Sequence, residues 1–392
     1  MLINKKLPSG IICIIGLFCK DGKAIKWRIA ILAWRVQTGG MDLKKRSFIK
    51  GAVAAALISG VAAFQAPAVQ AQEVTLKLHQ FLPAQANVPK FVLEPWMQSV
   101  MDASGGKMKI EMYSAMALGG KPPELIDQVK DGVVDIAWTV VGYTPGRFPR
   151  TEVFELPFMM TNAEATSKAY WDLFESDMKD QDFKDYHIIG TWVHGPGVIH
   201  AKGDGVQKLE DMKGKKLRGP SRMTNALLKE LGSEPIGLPV PGIPEALSKG
   251  VIDGTVIPWE VTGALKVAEL TNTHTEFVGD KAIYTVTFVL VMNKQKYDSL
   301  PDDLKKALDD NSGATFSAFA GKTMQDYDAP SRQIAVDRGN KIVEISGDEL
   351  ARWKAAAQPV VDGWIKEMDD KGLNGKDLFD RANGLIAKYS NM

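Results

Sequence analysis

Arg218 is the side chain best suited to hold a small anion. It ends a strand-like run, Lys213-Gly214-Lys215-Lys216-Leu217-Arg218, just before Gly219-Pro220-Ser221. A guanidinium offers a planar fork of donors that meets a carboxylate through two parallel hydrogen bonds, and it stays charged at physiological pH. Ser221 is placed to cap a helix predicted over 222–231, and a helix N-terminus adds its own affinity for an anion. A solvated arginine at a strand end is the commoner fate of this residue type, so position and charge alone leave both uses open. Arg222 is the weaker candidate and is expected to be solvated.

Aromatic residues fall where a cleft wall is expected. Trp138 and Trp259 end two similar segments, Phe81 follows the first predicted strand, Tyr143 lies in the loop after Trp138, and Trp192 follows Ile188-Ile189. Such walls suit a ligand with an apolar or ring-like body, although ordinary core packing uses the same residues. Glu260, beside Trp259, is placed either to meet a ligand hydroxyl or amine or to sit at the surface.

No catalytic set emerges. The five histidines, His79, His187, His194, His200 and His274, form no HExxH or HxH pair, and no GxSxG, Walker or GxGxxG motif occurs. Gly195-Pro196-Gly197 is too short for a phosphate loop, and Asp135 and Asp253 are expected to be structural. The sequence therefore calls for no catalytic residue, no cofactor and no metal.

The elements that must position these side chains alternate. Strands are predicted at 73–79, 107–113 and 133–140, with helices at 89–104 and 124–130 between them, the second opened by Pro122. Strand–helix alternation argues for βαβ units and a parallel sheet covered on both faces. An internal echo points to two related halves: ELIDQVKDGVVDIAW at 124–138 and EALSKGVIDGTVIPW at 245–259. Gly132 and Gly250 suit helix C-caps that need positive φ. In such sheets ligands bind beyond the carboxyl ends of the strands. A long helical pattern runs from Leu300-Pro301 towards Asp337, a short strand is predicted at 341–345, and helices at 348–371 and 375–389.

The chain of 392 residues is long enough for two lobes with separate cores, and no apolar run reaches the ~20 residues of a membrane span. Residues 41–71 read as a secretory leader: the basic patch Lys44-Lys45-Arg46, an alanine-rich apolar run from Ala52 to Phe64, and Val69-Gln70-Ala71 for cleavage after about Ala71. Lys45-Arg46-Ser47-Phe48-Ile49-Lys50 resembles a twin-arginine signal with lysine in the first arginine place, which leaves the export route open. Residues 1–40 read as an over-long start, with Met41 the initiator. Of the 48 basic and 47 acidic residues, 11 and 2 lie in 1–71, which leaves 37 and 45 and a net charge of −8. A chain of that sign has no bulk attraction to nucleic acid or anionic lipid, so any anion site must be local. Both cysteines, Cys13 and Cys19, fall in the removed part, so disulfides and thiolate chemistry are not expected after export.

Over essentially all of 73–392 the chain resembles the solute-binding proteins of TRAP transporters, the tripartite carriers of organic acids. The resemblance rests on the order and spacing of Ala117-Leu118-Gly119-Gly120, Phe154-Glu155-Leu156-Pro157-Phe158, the run Leu209-Glu210-Asp211-Met212-Lys213-Gly214-Lys215-Lys216-Leu217-Arg218, Val251-Ile252-Asp253-Gly254, and Leu300-Pro301. It implies an α/β, two-lobed periplasmic-binding-protein-like fold with a ligand cleft between lobes and a long helix crossing both. The first lobe would take 73–195 with about 284–323, the second 196–283 with about 324–392 and the C-terminal helices. It implies that Arg218 grips the ligand carboxylate, a periplasmic location, and as partners a small-molecule organic acid and a small and a large integral membrane subunit for sodium-coupled uptake. Two departures bear on the ligand. Val198-Ile199-His200 lacks the second arginine of sialic-acid-binding relatives, and Val256-Ile257-Pro258-Trp259 lacks the amide that relatives with polar ligands carry. Both favour a smaller or more apolar monocarboxylate with an aromatic or aliphatic body, such as a 2-oxo or 2-hydroxy acid. The rival functions are a binding protein for an ATP-driven importer, a ligand-sensing subunit, and a periplasmic enzyme, which would need an acid–base pair that the sequence does not show.

Overall fold

The structure, a computed structural model, describes residues 74–391; the expected leader and the stretch before it lie outside the described residues. Its strands are β1 (Val74–His79), β2 (Met108–Tyr113), β3 (Ile136–Val140), β4 (Tyr186–Val193), β5 (Val198–Ala201), β6 (Lys216–Gly219), β7 (Glu234–Gly237), β8 (Gly254–Ile257), β9 (Thr273–Phe277), β10 (Thr287–Asn293) and β11 (Lys341–Ile345). Its helices are α1 (Glu94–Ala103), α2 (Leu125–Lys130), α3 (Ala163–Leu173), α4 (Arg222–Glu230), α5 (Ile243–Ser248), α6 (Val267–Leu270), α7 (Lys294–Asp298), α8 (Asp302–Asp309), α9 (Gly313–Asp326), α10 (Asp328–Asp337), α11 (Gly347–Asp370) and α12 (Gly375–Ser390).

Two sheets make two lobes. The first has the order β2-β1-β3-β10-β4 and the second β11-β9-β5-β8-β6-β7. β1, β2 and β3 are parallel, while β10 runs antiparallel between β3 and β4. β3 and β10 are buried at every residue, as strands covered on both faces must be, and their near-continuous apolar runs reflect this.

The sequence echo is a structural repeat. α2 and α5 each reach a glycine of positive φ, Gly132 at 70° and Gly250 at 68°, and each is followed by a strand parallel to an earlier one, β3 on β1 and β8 on β6. Asp135 Oδ2 accepts from the Lys77 N–H (2.8 Å) and Asp253 Oδ2 from the Lys216 N–H (2.9 Å). Both aspartates therefore tie the incoming strand to its neighbour. The repeat also separates the two tryptophans: Trp138 lies inside β3, whereas Trp259 lies beyond the end of β8.

The chain passes between the lobes at 194–197 (β4 to β5), at 278–286 (β9 to β10), near Tyr327 (α9 to α10) and at 371–374 (α11 to α12). The first two passages touch: a Cβ at Gly197 would stand 2.0 Å from the Tyr284 ring, so only glycine fits there. The long helical run expected from Leu300 is three helices, interrupted before Gly313, whose φ of 83° no ordinary helix accommodates. At Tyr327 the interruption is slight, since its N–H still donates to the Thr323 and Met324 carbonyls. α9 lies on α3 and β4 of the first lobe. α10 joins the second lobe, where Arg332 pairs with Glu276 and Arg338 Nε donates to the Ala268 carbonyl. α9 and α10 together thus cross both lobes. α11 packs on α4, but α12 packs on α3 of the first lobe, fixed by the Arg381–Asp177 ion pair and by Tyr389 donating to Asp172. The final helix, given to the second lobe by the sequence-based division, thus lies against α3 of the first lobe as well as against α11.

Candidate functional site

A small cavity with mainly apolar lining lies between the lobes, as ligand sites commonly do. It opens at the carboxyl ends of the parallel strands, where α/β sheets bind ligands. Phe81 and Leu82 enter from the end of β1, Trp138, Val140 and Tyr143 from β3 and its loop, Arg218 and Pro220 from β6, and Ile257, Pro258, Glu260 and Val261 from β8 and beyond. Tyr284, Val286 and Phe288 come from the second passage and β10, and His194, Val240 and Met324 complete the wall.

Arg218 is fully buried. Its Nε donates to the Leu238 carbonyl (2.7 Å) and its Nη1 to the Val256 carbonyl (3.2 Å), which aims the fork; Nη2 has no partner. Burial works to lower its pKa, and the Tyr143 and Tyr284 hydroxyls act the other way. The Tyr143 hydroxyl accepts from the Val240 N–H (2.9 Å) and so links the first-lobe loop to the second lobe. The Tyr284 hydroxyl and Trp138 Nε1 are buried without partners. His194 lies against the Gly195 carbonyl through Nδ1 (2.5 Å), and burial pushes its pKa down to about 4, so it is neutral. Arg218 is thus the one permanent cation among the lining residues.

Aromatic rings form the wall beside it. Phe81 stacks on Trp138 at 4.5 Å between centroids and 22° between planes, and Phe288 stacks on Trp138 at 5.6 Å. The arrangement offers one cation, three unmatched donors and flat apolar faces, which is what an aromatic or otherwise apolar monocarboxylate requires. Among the described residues no group of three or more His, Cys, Asp or Glu is placed to hold a metal ion.

Of the residues selected from the sequence, Arg218, Trp138, Phe81, Tyr143 and Glu260 line the cavity. Trp192 and Trp259 do not. Trp192 lies behind Trp138, parallel within 6° at 6.4 Å, and spends its indole N–H on Met324 Sδ (3.2 Å). Trp259 turns into the second lobe, packs edge-on to His200, and donates to Glu276 Oε1 (2.7 Å). Tyr284, Phe288 and His194 were not selected; His194 and Tyr284 arrive through the passages, which carry no periodic signal, and Phe288 from the uniformly apolar β10. Arg222 is only partly solvated: it makes paired contacts to Glu152 across the lobes and a 2.6 Å contact to Glu367 of α11.

Comparison with known proteins agrees with this architecture. Residues 79–367 match the family described as bacterial extracellular solute-binding protein, family 7. A TRAP solute-binding protein from Rhodoferax ferrireducens, solved with copurified benzoate, is 48% identical with a TM-score of 0.80, over 81% of this chain and 99% of that one. A marine-metagenome TRAP solute-binding protein specific for aromatic acids, solved with 3-hydroxybenzoate, is 46% identical with a TM-score of 0.80 over the same shares. A Bordetella bronchiseptica relative holding (R)- and (S)-mandelate is 26% identical with a TM-score of 0.75, over 80% of this chain and 99% of that one. The chain belongs to family 7 of the bacterial extracellular solute-binding proteins, the DctP-like receptors of TRAP transporters.

Proposed function

We propose that this receptor captures an aromatic monocarboxylate in the periplasm and delivers it to a small and a large integral membrane subunit for sodium-coupled uptake. The carrying observation is the fully buried Arg218 guanidinium, held by two backbone carbonyls, with Nη2 unpartnered in the wall of an aromatic cavity. An ionised carboxylate shut away from water needs a matched charge, and Arg218 supplies it. Relatives bound to benzoate, 3-hydroxybenzoate and mandelate support the same ligand class. The reading is of a receptor rather than an enzyme, because the cavity holds a cation and donors but no paired acid and base around a reacting centre.

Calorimetry with benzoate tests it. Arg218→Ala is expected to lose on the order of 2–5 kcal/mol of binding, and Arg218→Lys a substantial part of that, because a point charge does not reproduce the fork. Wild-type affinity in Arg218→Ala would dismiss the role.

A further inference from the structure

Glu260 is a lining residue that neither the Arg218 fork nor the aromatic walls employ. Its side chain is buried, and Oε2 has no partner. Its backbone is held from three sides. Asn87 Nδ2 and Ser331 Oγ donate to its carbonyl (2.6 and 3.2 Å), and its own N–H donates to Asp328 Oδ1 (2.8 Å). The first lobe and the crossing helix α10 thus fix the backbone from which this carboxyl projects. Its surroundings differ from those of Arg218: Tyr143 and Tyr284 bear on the guanidinium, Asp328 and Asn87 on the carboxyl. An ionised carboxylate there would lie unpaired beside a second acid, which is costly. Burial first, and then Asp328, favours the protonated form. A neutral carboxylic acid offers one donor and one acceptor. A hydroxyl offers the same two functions and satisfies both, whereas an ether or a halide cannot donate, and an ammonium would demand the ionised form.

We infer that Glu260 recognises a hydroxyl group on the acid that Arg218 anchors, so that the preferred cargo is a hydroxylated aromatic monocarboxylate. This rests on the aromatic-acid reading above.

Calorimetry on the purified protein decides it, with benzoate, its 2-, 3- and 4-hydroxy derivatives, phenylacetate and mandelate. At least one hydroxylated acid should bind about tenfold or more tightly than its deoxy parent. In Glu260→Leu that ratio should fall to near one, and in Glu260→Gln, which keeps a donor and an acceptor, most of it should remain. A wild-type protein with no preference for any hydroxylated acid overturns the inference without recourse to a variant. So does a ratio unchanged in Glu260→Leu, or tighter binding of 3-(aminomethyl)benzoate than of every hydroxybenzoate, which would mean an ionised carboxylate. If the wild type binds none of these acids, the aromatic-acid reading fails and the inference falls with it; binding of benzoate without a hydroxyl preference sinks the inference alone.

Discussion

Three buried donors in one cavity, Arg218 Nη2, Trp138 Nε1 and the Tyr284 hydroxyl, lack partners. Each such group costs about 1–3 kcal/mol when nothing satisfies it, so their gathering in one wall is explained by a partner that comes and goes. Tyr284 isolates the effect, because its ring packs in the passage against Gly197 whether or not the hydroxyl is there. Tyr284→Phe should leave the melting temperature of the ligand-free protein unchanged or raised, and should weaken benzoate binding about tenfold. Thermal shift and calorimetry on the same samples would show it, and a lowered melting point with unaltered affinity would mean that the hydroxyl serves the fold. At this scale the sequence was partly legible. Arg218 stood out because a strand end, a Gly-Pro turn and a capping serine converge on it. Trp259 misled because it shares a motif with Trp138 but not a place in the strand. Tyr284 was silent because it owes its position to a passage between lobes, and its nearest cavity partners lie far away in sequence.

Among the elements, the short 3-10 segment Pro149–Glu155 binds the first lobe together and meets the second. Glu155 Oε1 accepts from both the N–H and the hydroxyl of Thr287 at the start of β10 (3.0 and 2.8 Å), and a Cβ at Gly142 would fall between Glu155 and Ser221, the N-cap of α4. Burial pushes the Glu155 carboxyl up to about 7, against the bonds from Ser221 and Thr287. The folded state therefore holds this proton more tightly than the unfolded chain does. Its stabilising contribution is complete below the ordinary carboxylate pKa of about 4.5 and is lost as pH rises through about 7. Glu155→Gln removes the titration, so the variant should gain stability relative to wild type between pH 4.5 and 8, by on the order of 3 kcal/mol at most. Parallel denaturant titrations at the two pH values measure the difference, and the other buried titrating groups cancel because both proteins carry them. A constant difference across that range would mean that Glu155 is ionised throughout. Local elements such as β1, β2, α2 and the capped α4 were legible, because period and cap are written in neighbouring residues. The seat of β10 between β3 and β4 was not, since its uniformly apolar run fits any central strand; only the family resemblance assigned that stretch to the first lobe.

At the scale of the molecule the polar contacts between the lobes include Tyr143 with Val240, Asn87 with Glu260, and Glu152 with Arg222 and Trp364. The short passages between lobes make hinge motion the natural way to admit a ligand, and these contacts then decide how often the empty protein is closed. Arg222 does not line the cavity, so it can act only through that equilibrium. Its ion pair with Glu152 is partly shielded, with side-chain exposures of 32% and 9%, and Trp364 Nε1 steadies Glu152 Oε2 from α11 (3.2 Å). After allowance for solvent screening the pair is worth about 1 kcal/mol. If the closed form is the binding-competent one, Arg222→Gln lowers its population and weakens apparent affinity about fivefold, and the effect should fade at high salt. Small-angle scattering should give the unliganded variant a larger radius of gyration than wild type, and the ligand-saturated variant the same radius. The double variant Glu152→Gln/Arg222→Gln should be no weaker than Arg222→Gln alone, since one contact cannot be lost twice. Wild-type affinity in Arg222→Gln at low salt, or an unliganded radius that does not change, would show that closure is governed by the cavity itself and that this surface pair is idle.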